Sequence, residues 1–227
     1  MKIDEYFGDW SKVIDLNEAD RIIKKLSASN SIICPKIQNI FKAFRLCSLH
    51  NLRLVILAYD PYNDIYKGSP RATGLAFANS SDVPEKDYSP SLEVLKESVI
   101  DYTRSHEITI FDPSLEKWEE QGVLLLNTAL SCEARKTGSH TLLWRPFIRT
   151  LLTNLSNFAV GTVYVLMGND AQSFEPYINK RFNYVIRCRH PAYYARTDTR
   201  MPSDIWRQVN SILIGQSGKG IEWYKEY

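Results

Sequence analysis

The sequence predicts an α/β fold, a three-layer sandwich with a central four-stranded parallel sheet flanked by helices. The main observation is that short apolar runs alternate with segments of helical apolar spacing, a pattern typical of parallel sheets covered on both faces. The chain has 227 residues, 44% of them hydrophobic, which is enough for one well-packed core and predicts a single domain over 1–227. The predicted strands are 52–59, 123–127, 162–167 and 183–189.

Seven predicted helices accompany these strands. The first has four apolar residues on one face and Asn17 as its expected N-cap. For the fourth, Asp112 is the expected N-cap, Pro113 takes the first helical position and Gly122 follows the end. The segment 64–73 is a predicted polar loop. The predicted helices are 16–26, 35–46, 90–103, 113–118, 143–155, 171–179 and 204–214.

The charge is unevenly distributed along the chain. A formal net charge of +2 is too small to indicate a nucleic-acid partner by itself. Segment 180–207 is nevertheless basic and segment 101–120 is acidic. Two solvated faces would explain this pattern, whereas a basic face beside His190 would favour an anionic partner. The basic residues of 180–207 are Lys180, Arg181, Arg187, Arg189, Arg196, Arg200 and Arg207.

Cysteine usage and apolar runs bear on metals and on location. Four cysteines lie far apart without a CxxC pair, which argues against a zinc or iron–sulfur site. The first ten residues are polar and acidic and do not resemble a signal peptide. No apolar run reaches the ~18 residues that a membrane span needs. We therefore expect a cytoplasmic protein with no membrane segment and no metal.

Polar side chains follow three of the predicted strands. Asp60, Asn127 and His190 each stand at a strand's carboxyl end, the edge where parallel sheets bind ligands. Taken singly, each has an ordinary explanation as a turn former or a helix cap. Their conjunction at one edge instead predicts hydrolysis of a substrate that needs an acid/base group, an amide reader and a charge stabiliser.

The motifs around these residues resemble those of family-1 uracil-DNA glycosylases. That family's Gly-Gln-Asp-Pro-Tyr-His signature appears at 58–63 with its Asp-Pro-Tyr centre retained. The resemblance covers nearly the whole chain, and the joint pattern is specific. Its Gly-Leu-x-Phe, Pro-Ser-Leu, Gly-Val-Leu-Leu-Leu-Asn, Ser-His and His-Pro segments correspond to 74–77, 90–92, 122–127, 139–140 and 190–191.

The resemblance implies hydrolysis of the N-glycosidic bond of deoxyuridine in DNA. The uracil must leave the base stack before this bond can be reached. Asp60 would polarise a water and stabilise an oxocarbenium-like sugar, and His190 would donate to uracil O2. Asn127 would read O4 and N3, Phe77 would stack on the ring, and Tyr62 would exclude the methyl group of thymine.

Further contacts and partners are implied in the same way. Tyr59 would contact uracil at the pocket rim, and Tyr194 stands near the position of the family's inserted leucine wedge. We expect uracil-containing DNA as the partner, a monomer with no cofactor and no obligate protein partner, and a proteinaceous glycosylase inhibitor as a further binder. The implied DNA contacts are Ser89, Ser91, Ser139, His140, Tyr194 and Arg196.

The chain departs from the family pattern around the site. Tyr59 replaces the usual Gln, Asn63 the usual His, and the 64–73 loop is longer. Within that loop Arg71 stands where Gln is typical, and 192–194 read Ala-Tyr-Tyr in place of Ser-Pro-Leu. These changes leave the central chemistry in place, but they bear on DNA affinity, on the rate of excision and on the choice of base.

Two alternatives remain open. A non-catalytic DNA-binding homologue could serve as a replication or repair scaffold, although a scaffold would need none of Asp60, Asn127 and His190. A glycosylase for another modified base is suggested by Tyr59 and the longer loop. An esterase is disfavoured because the chain has no Gly-x-Ser-x-Gly nucleophile elbow.

Overall fold

The computed structural model describes residues 6–103 and 109–226 and is built around a four-stranded parallel sheet. The strands are β1 (Leu54–Ala58), β2 (Val123–Asn127), β3 (Val163–Met167) and β4 (Tyr184–Cys188). They lie in the order β2-β1-β3-β4, and every neighbouring pair is parallel. With helices packed around this sheet, the predicted fold class is confirmed.

Eight α-helices surround the sheet in the described ranges. The amphipathic α1 buries Ala19, Ile22 and Leu26 and packs on α5, whereas α3 packs against α7 and α8. The indole N–H of Trp206 in α8 donates to the hydroxyl of Ser98 in α3 and fixes their contact. The helices are α1 (Leu16–Ser27), α2 (Lys42–Leu46), α3 (Pro90–Thr103), α4 (Glu116–Glu120), α5 (Thr141–Phe158), α6 (Asn169–Gln172), α7 (Pro191–Thr197) and α8 (Asp204–Ser217).

Short elements complete the described chain. Three two-stranded antiparallel pairs join Ile33–Cys34 to Cys132–Glu133, Ile65–Tyr66 to Ser69–Pro70, and Thr109–Ile110 to Lys225–Glu226. The second pair turns the predicted loop 64–73 into a small hairpin. Single 3-10 turns span Gly8–Lys12, Ile37–Asn39, Leu49–Asn51, Glu85–Asp87 and Glu175–Tyr177.

Several predicted boundaries were wrong because local side-chain and backbone geometry decides them. Asp15, not Asn17, caps α1, since its carboxylate accepts the N–H of Glu18 at 3.0 Å. Asp112 does not cap a helix at 113; it accepts the N–H of Ser114 in a turn, and α4 begins only at Glu116. The predicted helices 35–46 and 171–179 are each split into a 3-10 turn and a short α-helix.

The edge strand β2 is satisfied on its open side by two groups from outside the sheet. Oε1 of Glu119 accepts the N–H of Leu125 at 2.9 Å, and the carbonyl of Leu125 accepts the N–H of Ala76 at 3.2 Å. These bonds cover an otherwise unpaired edge. Because Ala76 precedes Phe77, the second bond also fixes the segment that carries Phe77 beside the strand end.

Glu119 is a buried acid, only 1% exposed. Burial raises the pKa of its carboxyl well above the ordinary value, which favours the neutral form in the fold. Its Oε2 has no hydrogen-bond partner within the described residues.

None of the helices in the described ranges combines the length and the apolar character that a membrane crossing requires.

Candidate active site

A cavity of about 730 Å³ opens at the carboxyl edge of the sheet. Its walls come from the segments that follow three strands: Tyr59 and Asp60 after β1, 168–170 after β3, and Arg189 and His190 after β4. Helix α7 adds Tyr193 and Arg196. The structure therefore brings the two predicted catalytic residues together in one cavity, as expected for the carboxyl ends of parallel strands.

Asp60 is half-buried and held by a backbone donor. The N–H of Gly138 donates to its Oδ2 at 2.6 Å. Burial raises the pKa of the Asp60 carboxyl, the hydrogen bond from Gly138 lowers it, and the negative charge of Asp170 raises it further. The net displacement is upward, which suits a carboxylate that must take up a proton during a reaction.

His190 is the N-cap of α7, a helix that the sequence did not predict. Its Nδ1 accepts the N–H of Ala192 at 3.1 Å, with Pro191 at the first helical position. Burial, aided by the positive charge of Arg196, lowers the pKa of His190 to about 4. The imidazole is therefore neutral near neutral pH, with its proton on Nε2, and Nε2–H is free to donate.

Phe77 and Tyr62 lie beside the cavity and not in its lining. The ring of Phe77, 5% exposed, lies 5.3 Å from the His190 ring between centroids. The hydroxyl of Tyr62 donates to the Phe77 carbonyl at 2.9 Å. Phe77 has a φ of +67°, an unusual conformation for a bulky residue and one that recurs at functional sites.

Asn127 ends β2 directly opposite Ala58 and is 8% exposed. Pairing continues past the strands, because the N–H groups of Thr128 and Ala129 donate to the carbonyls of Ala58 and Tyr59. Within 6–103 and 109–226, no side-chain hydrogen bond to the Asn127 amide occurs. A nearly buried amide without a protein partner, set at a strand end, is suited to read a ligand.

The serines of the predicted DNA contacts differ in accessibility. Ser89 is 3% exposed, and its hydroxyl accepts from the side-chain amide of Asn79 at 2.8 Å. Ser91 is also buried, in the first turn of α3. Ser139 is exposed, and its hydroxyl accepts the N–H of Glu133 at 2.8 Å. Phosphate contacts by these serines stay predictions, and Ser89 would have to exchange its present partner.

His140 is fixed by a small network at the start of α5. The hydroxyl of Ser131 accepts the indole N–H of Trp144 at 2.8 Å and lies 2.9 Å from Nδ1 of His140. Ser131 thus links the His140 ring to the Trp144 indole and fixes the orientation of the imidazole. Burial lowers the pKa of His140, which favours the neutral imidazole.

Tyr194 was expected on a loop, but it lies on α7 because Pro191 and the His190 cap start a helix there. Its ring packs against the hydrophobic core, and burial raises its pKa. Tyr193 is the neighbour that lines the cavity, with the Arg189 guanidinium 4.1 Å from its ring centroid. The wedge role of Tyr194 stays a prediction, and Tyr193 is a residue that the sequence reasoning passed over.

The basic segment 180–207 is partly neutralised. Lys180 and Arg187 both pair with Glu175. Arg200 and Arg207 form longer ion pairs, with nitrogen–oxygen distances of 3.6 Å to Asp101 and 3.8 Å to Asp204. The cations that reach the site are Arg189 and Arg196, which line the cavity. Of the seven basic residues in this segment, Arg189 and Arg196 are thus the two that line the cavity beside His190.

Two site residues were missed for different reasons. Asp170 follows β3 within a polar Gly-Asn-Asp triplet, the same strand-end signal that identified Asp60, and could have been found. Gly138 acts through its backbone N–H, and its φ of +69° leaves no trace in the residue pattern of a polar turn.

Comparisons with known proteins agree with this geometry. The family model described as the uracil DNA glycosylase superfamily matches residues 44–214. A curated uracil-DNA glycosylase of Yersinia pestis (strain Pestoides F) is 34% identical over 196 residues, covering 84% of this chain and 81% of that protein.

Solved structures show the same fold. The crystal structure of mimivirus uracil-DNA glycosylase has a TM-score of 0.75 at 20% identity, covering 98% of this chain and 93% of that one. The UNG structure from Nitratifractor salsuginis has a TM-score of 0.64 at 19% identity, covering 88% of this chain and 96% of that one. By the extent of the family match and the identity to the Yersinia protein, the chain belongs to the uracil DNA glycosylase superfamily.

Proposed function

We propose that this protein hydrolyses the N-glycosidic bond of deoxyuridine in DNA, releasing uracil and leaving an abasic site. The observation that carries the proposal is the placement of a half-buried carboxylate, Asp60, and a neutral imidazole, His190, in one cavity. Membership in the superfamily and the curated uracil-DNA glycosylase relatives support the same activity.

The chemistry divides between the two residues. A water polarised by Asp60 attacks C1′ of the extruded nucleotide, and the C1′–N1 electron pair leaves with the base. The carboxylate stabilises the positive charge on the sugar and then takes the proton of the water. The Nε2–H of His190 donates to uracil O2, where negative charge collects. Its Nδ1 is already occupied by Ala192, so the donor is held in one tautomer and one orientation.

We assign base choice to three residues that are not part of the cavity lining. The amide of Asn127 offers one acceptor and two donors, matching O4 and N3 of uracil and opposing the cytosine edge. Phe77 stacks on the pyrimidine. Tyr62, anchored on the Phe77 carbonyl, fills the space beside C5 and excludes the methyl group of thymine. Tyr59, a lining residue, completes the rim.

DNA binding is assigned to groups around the cavity mouth. Arg196, together with Arg189, supplies positive charge for the flanking phosphates. Ser91, Ser139 and His140 contribute polar contacts that set the register of the strand. A proteinaceous inhibitor is a further partner that we propose for this surface, because a mimivirus UNG variant has been solved in complex with UGI.

We also propose that the protein acts as a single-domain monomer in a reducing cytoplasm. All four cysteines are free, and three of them are buried. Free thiols fit a compartment that keeps them reduced.

The experiment is an excision assay on labelled oligonucleotides with one uracil, in which alkali cleaves abasic sites. We expect cleavage at uracil only, with thymine and cytosine strands intact. DNA binding without cleavage on any strand would indicate the scaffold alternative. Cleavage confined to another modified base would indicate a glycosylase of different specificity.

A further inference from the structure

Two hydrogen bonds join the segment 60–63 to the adjacent residues Thr137 and Gly138. At one end the N–H of Gly138 donates to Oδ2 of Asp60 at 2.6 Å. At the other end Nδ2 of Asn63 donates to Oγ1 of Thr137 at 2.8 Å. The carbonyl of Asn63 also accepts the N–H of Arg135 at 2.7 Å. The two segments therefore form a closed ring in which Asn63 and Asp60 hold neighbouring residues.

We propose that Asn63 is a positioning residue for uracil excision: its side-chain amide holds Thr137 so that Gly138 keeps its N–H on the Asp60 carboxylate. Asn63 does not line the cavity and acts only through this contact, whereas Thr137 does line it. The inference deepens the proposed function and rests on it. It assigns a role to a residue that departs from the family pattern, where His is usual.

Tyr59 packs against Gly138. A Cβ at Gly138 would collide with the Tyr59 hydroxyl, and the φ of +69° is itself unfavourable for other residues. Gly138 is thus packed against Tyr59, and the residue before it, Thr137, is bonded to Asn63. With Oδ2 of Asp60 committed to the Gly138 amide, Oδ1 is the oxygen left to orient a water.

The bond to Gly138 also bears on the charge of Asp60. Burial and the charge of Asp170 raise the pKa of Asp60, whereas the backbone N–H groups of Gly138 and of Asp60 itself lower it. The thiol of Cys132 also interacts with the charge of Asp60. In the described ranges, the other titratable or charged side chains that line the cavity with Asp60 and Asp170 are Tyr59, Arg189, His190, Tyr193 and Arg196. If Gly138 moves away, the ionised form of Asp60 loses a hydrogen bond and the pKa of Asp60 rises. As pH falls, the excision rate should then begin to drop at a higher pH than in the wild type.

The test is a pH profile of single-turnover uracil excision for Asn63→Ala, Thr137→Val and the double variant. Thr137→Ser keeps the hydroxyl and is the matched control. Thr137 is exposed, so its replacement by valine is compatible with folding. We expect both single variants to slow excision several-fold and to move the acid limb to higher pH, with DNA affinity unchanged. The double variant should be no slower than the slower single variant, because both remove one interaction.

An acid limb that stays in place in Thr137→Val, or losses that add in the double variant, would overturn the proposal. If Asn63→Ala fails to fold, Thr137→Val and Thr137→Ser still decide it. A carbon NMR titration of the Asp60 carboxyl in wild type and Thr137→Val gives the same answer without activity. An upward shift in the variant supports the positioning role even if the wild type proves inactive on uracil, which would contradict only the proposed function.

Discussion

The ring of Phe77 lies 5.3 Å from the imidazole of His190, and the two planes are inclined by 48°. This contact places the ring that we propose to stack on the base directly beside the group that we propose to donate to it. It also supplies part of the apolar surroundings that keep His190 neutral. Under the proposed function, one pair of side chains in contact would serve both recognition of the base and stabilisation of the leaving group.

We expect the pKa of His190 to respond to Arg196. Its pKa of about 4 arises from burial and from the nearby guanidinium. Arg196→Gln should raise this pKa towards the ordinary value of 6.5 without restoring it fully. A proton NMR titration of the imidazole signals measures the shift. Arg200→Gln is the control, because Arg200 pairs with Asp101 away from the cavity; an equal shift in both variants would disprove the local effect.

Asn127→Asp should acquire some excision of cytosine, because an acidic side chain can be protonated to face the cytosine edge. Tyr62→Ala should acquire some excision of thymine, because removing the ring opens space for the methyl group. Paired oligonucleotides with uracil, cytosine or thymine at one position measure both. If the two variants stay active and strictly uracil-specific, other residues read the base.

The stability of Glu119→Gln relative to wild type should increase as pH rises. The folded pKa of Glu119 is raised, so its contribution to stability is fully present below the unfolded value of 4.5 and is lost as pH rises towards the folded value. Glutamine keeps an acceptor for Leu125 and cannot ionise. Urea unfolding at acid and neutral pH should therefore show the variant gaining on wild type at neutral pH. A difference that does not change with pH would contradict the assignment.

Tyr194→Ala should depress excision from duplex DNA more than from single strands, because single strands need little help with unstacking. Base–aromatic stacking is worth about 1–3 kcal/mol per base. Since Tyr194 also packs on the core, the informative quantity is the duplex to single-strand rate ratio, which cancels any loss of folded protein. Tyr193→Ala is the matched comparison. A ratio that falls only in Tyr193→Ala would move the wedge to the residue lining the cavity.

The sheet could be predicted closely from the sequence because its strands are continuous apolar runs. β2 was predicted at its observed bounds, and the other three strands differ by one or two residues at an end. Helix starts were harder to predict. Asp15 and Asn17 are both good caps in principle, and only the bond to Glu18 distinguishes them. Helix α7 was missed because it is short and amphipathic spacing cannot be judged over seven residues.

The candidate site was predictable where a side chain directly follows a strand, and unpredictable where a backbone group or the phase of a helix decides. Asp60 and His190 follow strands, so parallel pairing alone brings them to one edge. Gly138 comes from a distant turn and contributes an N–H, a group that every residue except proline carries. Tyr193 and Tyr194 are adjacent, and only the helix phase of α7 decides which one faces the cavity.

The most direct test of the whole account is single-turnover uracil excision by Asp60→Asn and His190→Ala, measured beside DNA binding. The account predicts that each variant is slowed by ~10²-fold or more while its DNA affinity stays close to that of wild type. Excision at the wild-type rate in both variants would contradict the assignment of the chemistry to these two residues.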